Sequence, residues 1–387
     1  MKNAPPLAGI RVVEVGNYMA GPFCGMQLAD LGADVVKVEN PEGGDMGRDS
    51  GPFVDGESAN FMRINRNKRS LALNLKSDGG KEIFRKLVAR SDIVIENLRP
   101  GTMRGLGLDY PTLRAENPRL IYVAASGWGQ NGPYAPLAGL DIMAQAMSGL
   151  MSITGEEGGA PVKIGVPMCD LVCALYGALA AVSALHERER TGRGQLIDVS
   201  LFEAGVSFAI YEAAKYFTTG EIPRRLGSAH QTNAPYQAVR SQDGYFTVGA
   251  TSPKNWAAFC RVLGIEDLIE EPRFKSSHLR REHLAELLPI IEGVTLDRPS
   301  RWWVERLQEA GVPCAFLQDY GQVFNDPHLL ARRAFVDAPH SKVGKVRQIA
   351  SPMHFSETPL EVRRAGPVLG EDSADILAEL GYACVPS

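Results

Sequence analysis

The chain has little of what would classify it at a glance. Its six cysteines (Cys24, Cys169, Cys173, Cys260, Cys314 and Cys384) form no CxxC pair and no Cys/His cluster at metal-ligand spacing, so neither a metal site nor a disulfide framework is expected. Reduced thiols in a cytoplasmic compartment are the economical reading. Charge of one sign is also scarce: the net charge is −4 and 22% of residues are charged, which excludes a bulk pull toward nucleic acid or a membrane surface. Any anionic ligand must be held by local basic residues. The longest uncharged apolar run, "LVCALYGALAAVSAL" after Asp170, has fifteen residues, short of the roughly 18 to 20 that span a bilayer, and reads as a buried core helix. The opening "MKNAPPLAGIRVVEVG" has neither an apolar signal core nor an Arg-rich presequence, so a cytoplasmic protein with no nucleic-acid or membrane partner is expected. No internal repeat or low-complexity tract interrupts the sequence.

What is present is an alternation of strands and helices. "IRVVEVG" (10–16) is a β-branched run ending in glycine, "PFCGMQLADLG" has helical periodicity, and "ADVVKVE" (33–39) is strand-like again. The pattern continues through "SLALNL", "KEIFRKLVAR", "DIVIEN" and "RLIYVAAS" (119–126). Elements of these lengths imply an α/β fold with a parallel sheet covered on both faces. The first turn, "GNYMAG", lacks the G-x-G-x-x-G arrangement that cradles a dinucleotide pyrophosphate. Helices are expected over 139–150, 171–190 and 202–217, with "TGRGQLIDVSL" supplying a turn and strand between the last two. The pattern then changes: "PYQAVRSQDGYFTVGA" (235–250) reads as a hairpin around Asp243-Gly244. Helices follow at about 253–263, 279–292 and 299–310. At 387 residues the chain is long enough for two domains: a Rossmann-like large domain over 1–220, a smaller α+β domain over 225–325, and 326–387 completing the large one. The final helix "DSADILAELG" is opened by Asp372.

Four loops with glycines and basic or amide side chains, "NRNKRS" (65–70), "NLK" (74–76), "ENLRPGTMRGLG" (96–107) and "SGWGQNGPY" (126–134), lie at strand ends. In an open α/β sheet, the carboxyl ends of the strands face the ligand crevice. Lys76, Arg99 and Arg104 would supply charge for phosphates there, with backbone N–H groups completing the contacts. In "GVPMCD" a lone acid, Asp170, opens the apolar helix. Helix capping is the bland reading, since a carboxylate there accepts orphan N–H bonds. A carboxylate so placed is also a nucleophile.

The segments "LAGIRVVEVGNYMAGPF", "LGADVVKVE", "NRNKRSLALNLK", "VIENLRPG", "GWGQNGPY", "TGRGQ" and "GPVLGED" resemble those of class III CoA-transferases. This is the family of formyl-CoA transferase and carnitine CoA-transferase. The resemblance covers essentially the whole chain, in order and with family spacing. Through "MSITGEEG", "RLGSAHQTNAPYQA" and "DGYFTVGA" the chain is most similar to the succinate–hydroxymethylglutarate CoA-transferase branch. The resemblance implies that Asp170, followed by its apolar helix and "TGRG", is the catalytic aspartate, passing through a mixed anhydride and a β-aspartyl-CoA thioester. No permanently bound cofactor is implied; a coenzyme A thioester and a carboxylic acid are the substrates. The CoA moiety would lie against Met19, Ala20, Leu73, Lys76, Asn97, Leu98, Arg99 and Arg104. The glycine-rich lid of formyl-CoA transferase is replaced by "GSAHQTNAPY" (227–236). An obligate, interlocked homodimer is implied as well.

Two other functions remain open at this point. The same fold hosts α-methylacyl-CoA racemases, whose A-G-H-D segment supplies a second base; here "AGLDIM" puts Leu140 at the histidine position. A non-catalytic acyl-CoA binding protein is the other. Asp141, at the start of a helix, reads as a cap, and Glu203 carries no assigned role. Arg225 and His230 in "RRLGSAH" are the candidate readers of a dicarboxylate's far end, and Trp302 and Trp303 are expected in a core.

Overall fold

The computed structural model describes residues 4–382. Six strands, β1 (Arg11–Val15), β2 (Asp34–Glu39), β3 (Lys68–Ala72), β4 (Ile93–Glu96), β5 (Ile121–Ser126) and β6 (Leu196–Ser200), form one sheet. Their order is β3-β2-β1-β4-β5-β6, and every neighbouring pair is parallel. This is the order of a doubly wound Rossmann-type sheet, with the direction of winding reversing between β1 and β4.

The β-branched runs form central strands because both of their faces are covered. Val13, Val15, Val36, Val38 and Val94 face one apolar cluster with Ile83, Phe84 and Leu87 from a helix over Asp78–Ala89. Val12, Val35, Ile93, Ile95 and Val123 face the other, packed on the helix α1 (Ala20–Asp30) through Cys24 and Leu28. Side chains that alternate along a strand thus enter two separate cores.

Two further helices matter for the site, α2 (Asp141–Met147) and α3 (Met168–Thr191). The helix expected over 139–150 stops at Met147, before Gly149 takes a positive φ of 87°. The uncharged run after Asp170 belongs to a helix of 24 residues, long and apolar enough to cross a bilayer, so the length argument from fifteen residues does not hold. Its alanines 174, 178, 181 and 184 lie on the sheet, whereas Leu175, Tyr176 and Leu179 are exposed on the other side. It is therefore a core helix on one face only. The "TGRG" segment ends it: Gly192 adopts the left-handed C-terminal conformation, φ 71°. A Cβ on Gly194 would lie 2.0 Å from the Leu120 carbonyl oxygen, so only glycine lets this turn pass beside the sheet.

The chain divides into two compact units. One contains the residues up to Leu150, Ile164–Phe208 and the residues from Pro327 onward; the other contains Met151–Lys163 and Ala209–Asp326. The helix expected over 202–217 is split at this boundary into Leu201–Val206 and Ile210–Thr219. In the second unit, β7 (Tyr236–Ser241) and β8 (Gly244–Gly249) pair antiparallel around a two-residue turn at Gln242 and Asp243, one position before the expected Asp243-Gly244, since Gly244 already pairs with Ser241; β9 (Cys314–Phe316) joins β8. Phe246, Trp256, Phe259, Leu287, Trp303 and Leu307 fill the core of this unit. Trp303 donates its indole N–H to the Thr295 carbonyl at 2.8 Å, which satisfies its one polar group in that core. In the first unit, the "GPVLGED" loop covers the exposed side of β3: Ser70 N donates to Asp372 Oδ2 at 2.8 Å and Gly370 N to Ser70 Oγ at 2.9 Å.

Gly194→Ala should lower the unfolding free energy by at least about 2 kcal/mol, because a backbone carbonyl cannot yield to the added methyl. Urea denaturation measures this; an unchanged midpoint would mean that the turn relaxes freely.

Candidate active site

At the reversal between β1 and β4, two turns leave the carboxyl ends of adjacent strands, which is where open α/β sheets hold ligands. Residues 16–20 leave β1 and residues 97–99 leave β4. Asn97 stitches the two together: its Oδ1 accepts from Asn17 N at 2.8 Å and its Nδ2 donates to Asn17 O at 2.9 Å. Its side-chain amide is thus committed to the turn after β1.

Beneath this crevice lies a buried ionic lattice. Glu14, on β1, has no exposed surface; Lys37 Nζ lies 2.7 Å from one of its oxygens and Lys68 Nζ 2.6 Å from the other. Lys37 also reaches Asp45 Oδ2 at 2.8 Å and the Gly16 carbonyl at 2.9 Å, while Lys68 donates to Pro22 O and Asn65 Oδ1, both at 2.7 Å. Burial alone would lower the pKa of Lys37, yet the carboxylates of Glu14, Asp45 and Glu39 outweigh it and raise the value. Lys68 has fewer acids around it, and burial pushes it down to about 8 against the pull of Glu14. Asp45 in turn accepts from Tyr18 N at 2.9 Å and Gly47 N at 2.8 Å. The lattice thus fixes the turn after β1 from below.

This changes the reading of "NRNKRS". Its basic residues do not converge on the crevice. Arg66 pairs with Asp30 at 2.6 Å, Lys68 with Glu14, and Arg69 with Asp34 and Glu379, both at 2.7 Å. Residues 65–67 form a turn that leads into β3 and 68–70 begin that strand, so the segment precedes a strand rather than following one, and its charges pair with the framework.

Asp170 is the third residue of α3, and it is not the cap. The residue before the helix, Pro167, has no side-chain bond to offer. Asp141 fills that role from α2: its Oδ1 accepts from Cys169 N at 2.9 Å and, at 3.4 Å, from Asp170 N. The other oxygen of Asp141 accepts from Gln145 Nε2 at 2.7 Å, and the fully buried Gln145 accepts from Ile164 N at 2.9 Å through Oε1. Asp141 is thereby saturated. The Asp170 carboxylate has no hydrogen bond or ion pair among the described residues. Burial pushes its carboxyl up to about 7, and the charge of Asp141 adds to the shift. Desolvation and a like charge thus outweigh the helix dipole, which by itself would favour the ionised form. Ala20 shares one apolar cluster with Cys169, Val172 and Cys173, so the N-terminus of α1 packs beside the first turn of α3.

The other expected residues divide by exposure. Ala20 and Leu73 are buried, and Leu98 packs against the cluster that contains Leu73. Met19 is half-buried at the start of α1. Lys76 and Arg99 are exposed, with no side-chain partner among the described residues. Arg104 is 82% exposed and 3.5 Å from Asp109. Glu203 accepts from Ser200 Oγ at 2.6 Å in the first turn of its own helix. In the second unit, Arg225 donates to the carbonyls of Thr154, Gly159 and Met151 at 3.1, 2.9 and 3.1 Å. The guanidinium thereby holds the 151–163 segment with three of its five N–H donors. His230 stands edge-on to Tyr211 and Tyr236, and its Nδ1 accepts from Thr232 N at 3.2 Å, which leaves Nε2 as the protonated nitrogen of the neutral ring.

Sequence reasoning missed Glu14, Lys37, Asp45 and Gln145. A signal for the first two was available: "RVVEV" and "DVVKV" carry an acid and a base at the same place in otherwise apolar strands, and Glu14 and Lys37 are register partners. Glu96, buried at the end of β4, is pushed up to about 7 by burial although it accepts from Leu98 N at 2.7 Å.

A family model described as CoA-transferase family III matches residues 7–373. The chain is 39% identical over 383 residues to the succinate–glutarate CoA-transferase of Agrobacterium fabrum, covering 97% of this chain and 96% of that protein. It is 36% identical over 381 residues to the human succinyl-CoA:glutarate CoA-transferase, covering 98% and 87%. The crystal structure of a CAIB/BAIF family protein from Brucella suis superposes with a TM-score of 0.88 at 39% identity, covering 98% of this chain and 100% of that one.

Titration of Asp170 tests the geometry directly. Its folded value, about 7, lies above the ordinary 3.8, so its ionisation costs nothing below pH 4, costs more as pH rises, and costs most above pH 7. Asp170→Asn should therefore stabilise the protein at pH 8 by on the order of 4 kcal/mol and leave it unchanged at pH 4. Thermal melts at the two pH values measure the difference. Asp141→Asn, which keeps the capping oxygen, should move the Asp170 midpoint down, as carbon-detected NMR of labelled aspartate would record; an unmoved midpoint would mean that Asp141 does not act on it.

Proposed function

This chain belongs to CoA-transferase family III, and on that premise we propose that it moves coenzyme A from succinyl-CoA, or a similar acyl-CoA, to a short dicarboxylic acid through Asp170. One observation carries the reading. Of two adjacent carboxylates at the head of α3, Asp141 has its oxygens bonded and Asp170 has its own free.

In the first step, an Asp170 oxygen attacks the thioester carbonyl, the C–S bond breaks, and CoA thiolate leaves a mixed anhydride. The thiolate then attacks the aspartyl carbonyl and displaces the donor acid as its carboxylate. A β-aspartyl-CoA thioester remains. The acceptor carboxylate attacks that thioester, releases the thiolate and forms a second anhydride; the thiolate attacks the acceptor's acyl carbonyl and restores Asp170. No proton or electron need be supplied from outside this cycle. Partial desolvation suits the nucleophile, because a poorly hydrated carboxylate is more reactive than one tied up in hydrogen bonds. Lys76, Arg99 and Arg104 hold the CoA phosphates by charge, and backbone groups of Met19, Ala20, Leu73, Asn97 and Leu98 line its path. A four- to six-carbon dicarboxylate as acceptor is supported by the relatives named for succinate and glutarate.

A racemase would need a second base beside Asp170. Leu140, exposed at the start of α2, has no proton to exchange. An interlocked homodimer accounts for the apolar surface each unit leaves open, Leu175 and Leu179 on α3 and Phe217 and Ile222 in the second unit, with Phe217 82% exposed.

Asp170→Ala should abolish CoA exchange between succinyl-CoA and glutarate while the protein stays folded. Hydroxylamine added to the wild type with succinyl-CoA should modify Asp170, located by peptide mass spectrometry. Full turnover in the alanine variant would sink the mechanism. Lys76→Ala should weaken CoA binding by about tenfold and leave kcat within a factor of about two, since phosphate contacts are shared by ground and transition states; calorimetry and steady-state rates separate the two.

A further inference from the structure

Among the described residues, four that are not glycine adopt a left-handed backbone: Tyr18, Asp55, Asn67 and Arg333. Asp and Asn tolerate that region, and Asn67 is held there by bonds to Asp30 and to the Glu361 carbonyl. Tyr18, φ 59°, is the one aromatic residue of the four. For a side chain of that size the conformation is strained, and such strain persists only where the surroundings impose it. Here they do: the buried Asp45 accepts the Tyr18 N–H, Lys37 holds Asp45, and Asn97 holds Asn17 from both sides.

All this framework presents a ring that stands half open to solvent. Tyr18 is 52% exposed, and its hydroxyl has no partner among the described residues. It stands at the switch point, two residues before Ala20, which packs beside the first turn of the Asp170 helix. Glycine would relieve the strain, and with half of the side chain open to solvent the loss of contacts would be small. The residue therefore serves something other than stability.

We propose that Tyr18 is a specificity-determining contact for the acyl group of the bound thioester, its ring forming one wall of the space above Asp170. The inference rests on the CoA-transferase reading for the identity of the ligand. The acyl chain lies against the ring, while the nucleotide end of the same ligand is held elsewhere, by the basic side chains. Loss of the ring thus weakens an acyl-CoA and spares free CoA.

Calorimetry with two probes tests this: free CoA, and the unreactive thioether analogue of succinyl-CoA, in which a methylene replaces the thioester carbonyl. Tyr18→Gly should bind the analogue at least about fivefold more weakly than the wild type and bind CoA within about twofold, while its melting temperature is equal or higher because strain is released. Tyr18→Phe, which keeps the ring, should bind both as the wild type does. Equal loss of both ligands, unchanged affinity for the analogue, or a lower melting temperature with general loss of binding would each overturn the proposal. A wild type that transfers no CoA in the exchange assay would instead remove the reading beneath it, with the binding ratio still deciding whether Tyr18 meets the acyl end.

Discussion

Glu14 is a carboxylate with no access to water, balanced by Lys37 on one oxygen and Lys68 on the other. A buried charge without its partner costs several kcal/mol, so removing any one of the three would leave an uncompensated charge in the core. Their geometry fixes the turn after β1. Lys37 grips the Gly16 carbonyl and Asp45, Asp45 grips the Tyr18 N–H, and Lys68 grips the Pro22 carbonyl in the first turn of α1. Even Gly25 belongs to this arrangement, since a Cβ there would stand 2.1 Å from a Glu14 oxygen. Where a dinucleotide-binding protein uses a glycine-rich loop to shape the switch point, this chain uses an ionic lattice below it.

The head of α3 shows the same division between framework and chemistry on a smaller scale. Two aspartates stand together, and the hydrogen bonds separate their tasks. Asp141 satisfies the helix N–H groups and is itself held by Gln145; Asp170 is left half-buried, unbonded and raised to about 7. Environments that push two neighbouring carboxyls apart are how a fold assigns them different work. In the proposed reaction the cap is permanent and the other carboxylate is free to form and break bonds.

The large fold was legible because its signals are local. β-branched runs such as "VVEV" and "VVKV" predict central parallel strands, and the sheet has them at those places. The Asp243-Gly244 pair likewise predicts the hairpin of β7 with β8, whose turn lies one residue earlier. What sequence hid was partnership. The arginines and lysine of "NRNKRS" resemble a ligand-binding loop until Asp30, Glu14 and Asp34 are placed beside them. Nothing beside Arg225 in the chain announces the three carbonyls of a distant segment that take three of its donors. Asp170 resembles a cap until Asp141, twenty-nine residues earlier, takes the N–H groups. Each depends on a contact that spacing along the chain does not encode.

The central claim is that an oxygen of Asp170 takes part in the bonds that move. In the proposed cycle, the acceptor's attacking oxygen is left on Asp170 when CoA departs with the acceptor's acyl group, and Asp170 passes that oxygen to the donor acid in the next turnover. The direct measurement is to run the exchange with unlabelled succinyl-CoA and an acceptor whose carboxylates carry heavy oxygen, then weigh the peptide containing Asp170. The account predicts heavy oxygen in that peptide, at Asp170 and at no other acid. A peptide that stays unlabelled after many turnovers, while CoA is transferred at the full rate, would contradict it.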